Sequence, residues 1–357
     1  MKLNGIRHFS HIILSLLMGT LAAGLTSCHA VWQEEPVCDQ GLAIRFVYDY
    51  NMEDANAFPS QVHCLTVIVY DAEGRYVTTV TETDRAKLSD ENWRLRLPLP
   101  EGSYRVVAYG GLECEDSSFD LSGARGMLTD RRVALKSDLL TSPKGKNLHP
   151  LFYGISMDED MASKHAFASE PSVTTVGYND ADLQPVTVYM MKDTNNVRIL
   201  LHNSDGSPIN DTDFRYTITD NNTLFDWNNT LLPSPTVTYW PWTQGTIPGG
   251  SRADGDDPVG LPAMAYAEIS TSRFVTGSDA VLRIEEISSG RTVLRIPLVD
   301  ILLQYKSANF GMLGNQEFLD RRSEWELSLF LDATLGGWYT VTIWIEDWYV
   351  RINNIEQ

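Results

Sequence analysis

Short runs of alternating apolar and polar positions recur along the chain. Leu42-Ala43-Ile44-Arg45-Phe46-Val47-Tyr48 carries charge only at Arg45. His63 to Tyr70 sets Leu65, Val67 and Val69 against Thr66 and Ile68, and Trp93-Arg94-Leu95-Arg96-Leu97 alternates strictly. Period-two runs rich in β-branched and aromatic residues predict half-buried strands. Asp71-Ala72-Glu73-Gly74 is a turn leading into Arg75-Tyr76-Val77-Thr78-Thr79-Val80, so these two runs form a hairpin. Pro100-Glu101-Gly102 turns the chain into Tyr104–Tyr109. Residues 115–184 are less regular, with a helical turn near Asp138-Leu139-Leu140. The strand pattern returns at Pro185–Met191 and again at Val197–Leu201, and a domain boundary is placed near residue 193.

The second half repeats this style. Phe214–Thr219, Val237–Trp240, Ala263–Ile269, Ala280–Ile284 and Thr292–Ile296 read as strands, the last two joined through Ser288-Ser289-Gly290. Leu298–Leu303 and Gln316–Arg321 read as short helices, the latter with Asn315 as N-cap. The chain closes on Trp325–Leu331, Trp338–Ile345 and Trp348–Ile352. Many short strands with Gly/Pro turns and no βαβ alternation predict an all-β protein of two tandem Greek-key β-sandwich domains with a few short helices. The expected division is a first domain over 38–193 and a second over 194–357.

The amino terminus has a different character. Lys2 and Arg7 precede an apolar run from Ile12 to Leu25, shorter than the roughly 20 residues of a membrane span. It ends in Leu25-Thr26-Ser27-Cys28, the pattern of a bacterial lipobox, in which the cysteine thiol takes a diacylglyceryl group and cleavage precedes it. Residues 1–27 are then the lipoprotein signal peptide, Cys28 the lipidation site and 28–37 a lipidated tether. The other reading is an ordinary secretory signal ending near Ala22-Ala23. Gln33-Glu34-Glu35 either resembles a surface-export signal or is a solvated tether. The 28 basic against 47 acidic residues give a net charge of −19. That balance excludes nucleic acid as a partner, because a phosphate backbone needs a positive face.

Chemistry is harder to find. The histidines have no metal-ligand spacing, and there is no nucleophile elbow or Walker loop. Gly110-Gly111 ends a strand without marking a phosphate cradle. Asp254-Gly255-Asp256-Asp257 lacks the spacing of an EF-hand, and Asp158-Glu159-Asp160 reads as an exposed loop. The expectation is no enzyme, no metal and no cofactor. Three cysteines follow Cys28. If the strand from Gly41 runs antiparallel to that from Tyr104, Cys38 lies near Cys114, and this pair is the expected disulfide. The alternative is three reduced core thiols. Trp240-Pro241-Trp242 is the aromatic patch that a sugar-stacking surface would use.

Several stretches are more specific than a strand pattern. They are Cys38-Asp-Gln-Gly-Leu-Ala-Ile-Arg-Phe-Val-Tyr-Asp-Tyr-Asn51, Phe58-Pro-Ser-Gln-Val62, Val67-Ile-Val-Tyr-Asp-Ala-Glu-Gly74, Leu99-Pro-Glu-Gly-Ser-Tyr104, Ala108-Tyr-Gly-Gly111 and Gln316-Glu-Phe-Leu-Asp-Arg321. With the lipobox, and in this order, the chain resembles the fimbrillin-associated anchor family, lipoprotein anchor subunits of type V pili in Bacteroides-like bacteria. The resemblance implies transthyretin-like sandwiches, no catalysis, a lipid anchor in the outer membrane, and a place at the base of a fimbrium whose length it limits. Its implied partners are fimbrial stalk subunits, joined by β-strand exchange. An anchor cut at its first strand would release the pilus, so Leu42–Tyr48 is expected to stay in place. Trp348, Tyr349, Val350, Arg351 and Ile352 are the candidate exchanged strand. The competing expectation is a surface lipoprotein, or a pilus tip, that binds a glycan or host protein.

Overall fold

The computed structural model describes residues 40–140, 142, 144–177, 182–248, 263–306, 310–335, 338–345 and 348–353. The first half contributes β1 (Gly41–Val47), β2 (Leu65–Asp71), β3 (Tyr76–Glu82), β4 (Leu95–Pro98), β5 (Gly102–Gly110), β6 (Phe119–Ser122), β7 (Arg132–Leu135), β8 (Phe152–Ser156), β9 (Val173–Val176) and β10 (Gln184–Lys192). The second contributes β11 (Thr194–Asn203), β12 (Phe214–Asp220), β13 (Leu224–Phe225), β14 (Val237–Tyr239), β15 (Thr243–Ile247), β16 (Met264–Ser272), β17 (Val281–Glu286), β18 (Thr292–Pro297), β19 (Glu324–Leu335), β20 (Trp338–Ile345) and β21 (Trp348–Asn353). Short helices are α1 (Phe58–Gln61), α2 (Arg85–Leu88), α3 (Ser137–Leu140), α4 (Glu159–Ser163), α5 (Leu298–Gln304) and α6 (Asn315–Arg321). The protein is mainly β. Asn315 is the first residue of α6, whose cap is Gly314 with no side-chain cap bond, not the Asn315 cap that the sequence led us to expect.

The strands form four sheets. One runs β3-β2-β5-β8-β10-β1-β4, with β9 also on β5; a second runs β15-β16-β11-β19-β20-β21; a third β14-β12-β17-β18; and a small one β13-β7-β6. β1 lies inside the first sheet, parallel to β10 and antiparallel to β4. It does not pair with β5, because β8 and β10 stand between them. That placement removes the premise for a Cys38–Cys114 bridge. Cys114 is instead bonded to Cys64, with Cα atoms 6.2 Å apart, and a sulfur holds one such bond. Cys38 lies outside the described residues. The pairing follows from β2 and β5 lying side by side: Leu65, next to Cys64, is opposite Gly110, four residues before Cys114. At Gly111 the backbone turns at φ +83°, and a Cβ would overlap the Pro150 carbonyl. The glycine serves that close approach.

Burial shows how the layers share a core. β2 is buried on both faces from Leu65 to Tyr70, so its apolar run is continuous where a half-exposed strand would alternate. Leu42, Ile44, Phe46, Val67, Val69, Val106 and Val188 fill one side of the first sheet. The other side, with Ile68, Tyr70, Val107, Tyr109 and Tyr153, packs into a core that continues through Phe119, Val133 and Phe225 to Val197, Ile199, Leu327 and Leu329 of the second half. The small sheet carries this continuity, since Leu224 and Phe225 pair with Ala134 and Val133. Inside it Arg131 is fully buried. Its guanidinium lies 5.3 Å from the Tyr70 ring centroid and 5.9 Å from that of Tyr109, and donates to the Trp227 carbonyl at 2.6 Å. Aromatic faces stand in for a counter-ion there.

Between the large sheets sits a polar clasp built on α6. Asp320 accepts two hydrogen bonds at 2.7 Å from Arg273, which also donates to the Asn229 carbonyl at 3.0 Å. The next residue, Arg321, reaches the first half. It donates to the Asn51 carbonyl at 3.1 Å and the Asp54 carboxylate at 2.6 Å, while its guanidinium lies 4.6 Å from the Tyr50 ring centroid. Gln316 on the same helix donates to Asp320 at 2.8 Å and to the Phe274 carbonyl at 3.1 Å. Asp193, the residue between β10 and β11, is fully buried and accepts from Asn229 at 2.9 Å. Burial pushes its carboxyl up to about 7, with Arg273 and the Asn229 bond pulling the other way.

Three outcomes follow from these contacts. Non-reducing peptide mapping will join the Cys64 and Cys114 peptides, and the paired Cys→Ser variant will lose about 4 kcal/mol in denaturant unfolding, the loop-closure value for this separation. Arg273→Met leaves Asp320 buried without its cation, so it will cost about 3–5 kcal/mol, part of which Arg273→Met/Asp320→Leu will recover. Asp193 ionises near pH 4 when unfolded but only near 7 when folded. Its carboxyl therefore leaves stability untouched below pH 4 and lowers it progressively from about pH 4 to pH 7. Asp193→Asn will match the wild type at pH 4 and exceed it by on the order of 3–4 kcal/mol at pH 8.

Candidate functional site

Strand exchange requires a row of backbone N–H and C=O groups that the chain's own strands leave open. Among the described residues the six-stranded sheet ends in such a row: β21 pairs there with β20 alone, from Ile345↔Trp348 to Thr340↔Asn353. Trp348, Tyr349, Val350, Arg351 and Ile352 therefore lie together on one outermost strand. β20 in turn pairs with β19, from Ser328↔Trp344 to Leu335↔Trp338. The hairpin thus hangs from β19, whose neighbour on the other side is the parallel β11.

β19 is firmly held. Trp325, Leu327, Leu329 and Leu331 alternate inward and are all buried. The Trp325 indole donates to Asn195 Oδ1 at 3.1 Å, and its ring meets Phe318 of α6 edge-on at 5.8 Å. Arg322 lies over the Trp325 ring at 5.0 Å, and Tyr305 donates to the Glu326 carbonyl at 2.7 Å. On the opposite face His202 of β11 stacks on Phe330 of β19 at 4.7 Å. Burial pushes its imidazole below the usual range, which favours the neutral ring beside an apolar partner.

The other end of the chain has the opposite character. β1 has a strand on each side, and Leu42 and Ile44 are completely buried. Removing β1 would open the first sheet between β10 and β4. Removing β21 would break a single ladder. The two ends therefore differ in what they can give up.

The remaining candidates fall as follows. Cys28, the Gln33-Glu34-Glu35 tether and Asp254–Asp257 lie outside the described residues, as does Cys38. Asp158 caps α4 by accepting from Met161 N, and Asp160 pairs with Lys164 at 2.7 Å. Trp240, Pro241 and Trp242 are half-buried; the Trp242 indole donates to Asn196 Oδ1 at 3.2 Å, and the Trp240 and Pro241 carbonyls pack on Gly145. Among the described residues no group of three His, Cys, Asp or Glu is placed to hold a metal ion, and no helix is long and apolar enough to cross a membrane. Pattern reading missed Arg131 and Arg273, because isolated charges carry no periodicity, while Asp320 and Arg321 lay in the Gln316–Arg321 stretch that gave a signal.

The family model described as fimbrillin-A associated anchor proteins Mfa1 and Mfa2 matches residues 34–354. No curated protein matches the chain. A candidate adhesin from Bacteroides thetaiotaomicron is similar at 39% identity, with a TM-score of 0.73 over 88% of this chain and 98% of that one. A candidate polysaccharide-binding protein from the same organism is 27% identical, with a TM-score of 0.67 over 87% and 98%. The fimbrial anchor protein Mfa2 from Porphyromonas gingivalis shares the fold at 16% identity, with a TM-score of 0.59 over 87% and 98%. With nearly its whole length matched, this chain belongs to the family of fimbrillin-A associated anchor proteins.

Proposed function

We propose that the protein is the non-enzymatic, lipid-anchored subunit at the base of a cell-surface fimbrium, and that it joins the stalk by strand exchange through β21. The observation that carries this reading is the contrast between the two ends of the chain. The first strand is locked between two neighbours, while the last forms a sheet edge. A subunit held to the outer membrane through Cys28 has to keep β1, because β1 connects the body to the anchor. It can offer β21, whose main-chain groups add to a stalk subunit's sheet while alternate side chains fill its pockets. Fimbrillin-type stalk subunits are the partners this implies, and occupying the base would limit pilus length. The finer architecture in this reading is a pair of transthyretin-like sandwiches meeting near residue 193. A second reading is favoured by the two Bacteroides thetaiotaomicron relatives, one a candidate adhesin and one a candidate polysaccharide-binding protein. In that reading the same body sits at a pilus tip, or acts alone, and holds a glycan or host protein.

The test is gentle detergent extraction of tagged protein from piliated cells, followed by gels with and without boiling. Full-length protein is expected to run in an SDS-resistant, heat-sensitive ladder with a stalk subunit. Truncation before Trp348 is expected to abolish the ladder and shed pili into the medium, and Cys28→Ala to move the protein out of the membrane fraction. Pili that stay attached to the truncated protein would remove β21 from this role. A clean monomer from piliated cells would favour the glycan-binding reading.

A further inference from the structure

β11 and β19 run in parallel away from the clasp, but they do not end together. β11 pairs with β19 only as far as Asn203↔Leu331, and Ser204 N donates to the Leu331 carbonyl at 2.7 Å. β19 continues to Leu335 with β20 beside it. On the β11 side, residues 333–335 have no strand next to them among the described residues. At this pole a cavity of about 430 Å³ opens between the ends of β11 and β19 and the facing β12 and β17. Ile209, Phe214 and Leu331 give it a buried apolar floor. Asp205 and Asp213 give it an exposed acidic rim, continued by Asp332 and by Glu286, which is paired with Arg291 at 3.1 Å, and among the described lining residues there is no lysine or arginine. Ile287, next to the rim, is 51% exposed. β21 runs to the same pole, since Asn353 lies opposite Thr340 and Thr340 opposite Asp332.

We propose that this pole is a docking site for an extended segment of the neighbouring pilus subunit, apolar at alternate positions and flanked by lysine or arginine. The segment adds its backbone to the β19 overhang, places one apolar side chain on the Ile209/Phe214/Leu331 floor, covers Ile287, and sets its cations against Asp205 and Asp213. Charge and shape select this occupant over the alternatives. A sugar would want an exposed aromatic platform, whereas Phe214 is the single aromatic among the described lining residues and is buried. A metal ion would want three converging ligands, which the described residues do not supply here. The proposal rests on the reading of the protein as a pilus subunit, and gives that contact a second point beside β21.

The experiment uses detergent-purified mature protein and two fluorescein-labelled heptapeptides, Lys-Val-Thr-Val-Lys-Val-Thr and the same peptide with glutamate at both lysine positions. Fluorescence anisotropy is expected to show binding of the lysine peptide, at least about tenfold weaker binding of the glutamate peptide, and weakening by added salt. Asp205→Asn/Asp213→Asn, both at exposed positions where asparagine keeps the local turn bonds, is expected to weaken the lysine peptide by a similar factor. Equal binding of both peptides, no binding at about 1 mM, or binding unchanged in the double variant would overturn the proposal; so would binding of a neutral oligosaccharide that the lysine peptide fails to displace. Pilus attachment scored in the same strains separates the two ideas. Pili retained by the Asp205/Asp213 variant sink the docking site alone. Pili retained by the chain cut before Trp348, with peptide binding intact, sink strand exchange through β21 alone.

Discussion

Two adjacent residues of one short helix, Asp320 and Arg321, grip different parts of the molecule. Asp320 fixes Arg273 and, through it, the Asn229 loop, all within the second half. Arg321 crosses to Tyr50, Asn51 and Asp54 of the first. Helical geometry makes this possible, because successive side chains leave a helix about 100° apart and can serve opposite sides. Burying such charges costs solvation that an apolar contact would spare. The bidentate Arg273–Asp320 pair tolerates little rotation and so sets α6 within the second half, and Arg321 carries that position across to Asn51 and Asp54 of the first.

The two ends of the described chain differ in their strand neighbours. β1 and β10 are parallel neighbours in one sheet, β11 and β19 in the other, and only Asp193 lies between β10 and β11. The backbone therefore passes from the interior of one sheet to the interior of the next within a single residue. The edges are β3 and β4 in the first sheet, β15 and β21 in the second. Proteins usually blunt such edges; here the proposed function makes use of one.

Much of this architecture was legible in the residues. Hairpins with glycine turns, such as β2–β3 at Gly74 and β17–β18 at Gly290, follow from local chemistry that needs no partner elsewhere. So do the short helices at Ser137–Leu140 and Leu298–Gln304. What did not read out was non-local. The parallel β1–β10 pair joins residues some 140 positions apart, and nothing in either run marks the other. The wrong disulfide followed directly from that, since Cys38 was placed by an assumed neighbour of β1. β6 and β7, four residues each, escaped notice within the stretch 115–184, where no regular pattern surrounds them. The stretch Gln316–Arg321 read as a short helix and again through family resemblance, and the structure shows why those residue types belong there: Gln316, Asp320 and Arg321 each make a clasp bond.

The direction of the strands also sets how the body bears tension. A pull towards the membrane at Gly41 and a pull away from it at Asn353 would load β1 against β10 along their common axis, because the chain leaves β10 at its far end for β11. The bonds of that ladder are then sheared together instead of being opened one at a time from an end. β21 runs in the same direction as β19 and would likewise be drawn along its own axis past β20. Forced rupture is governed by the unfolding barrier and not by equilibrium stability. A fold that arranges its terminal strands in shear can therefore be mechanically strong while remaining, like most proteins, only marginally stable.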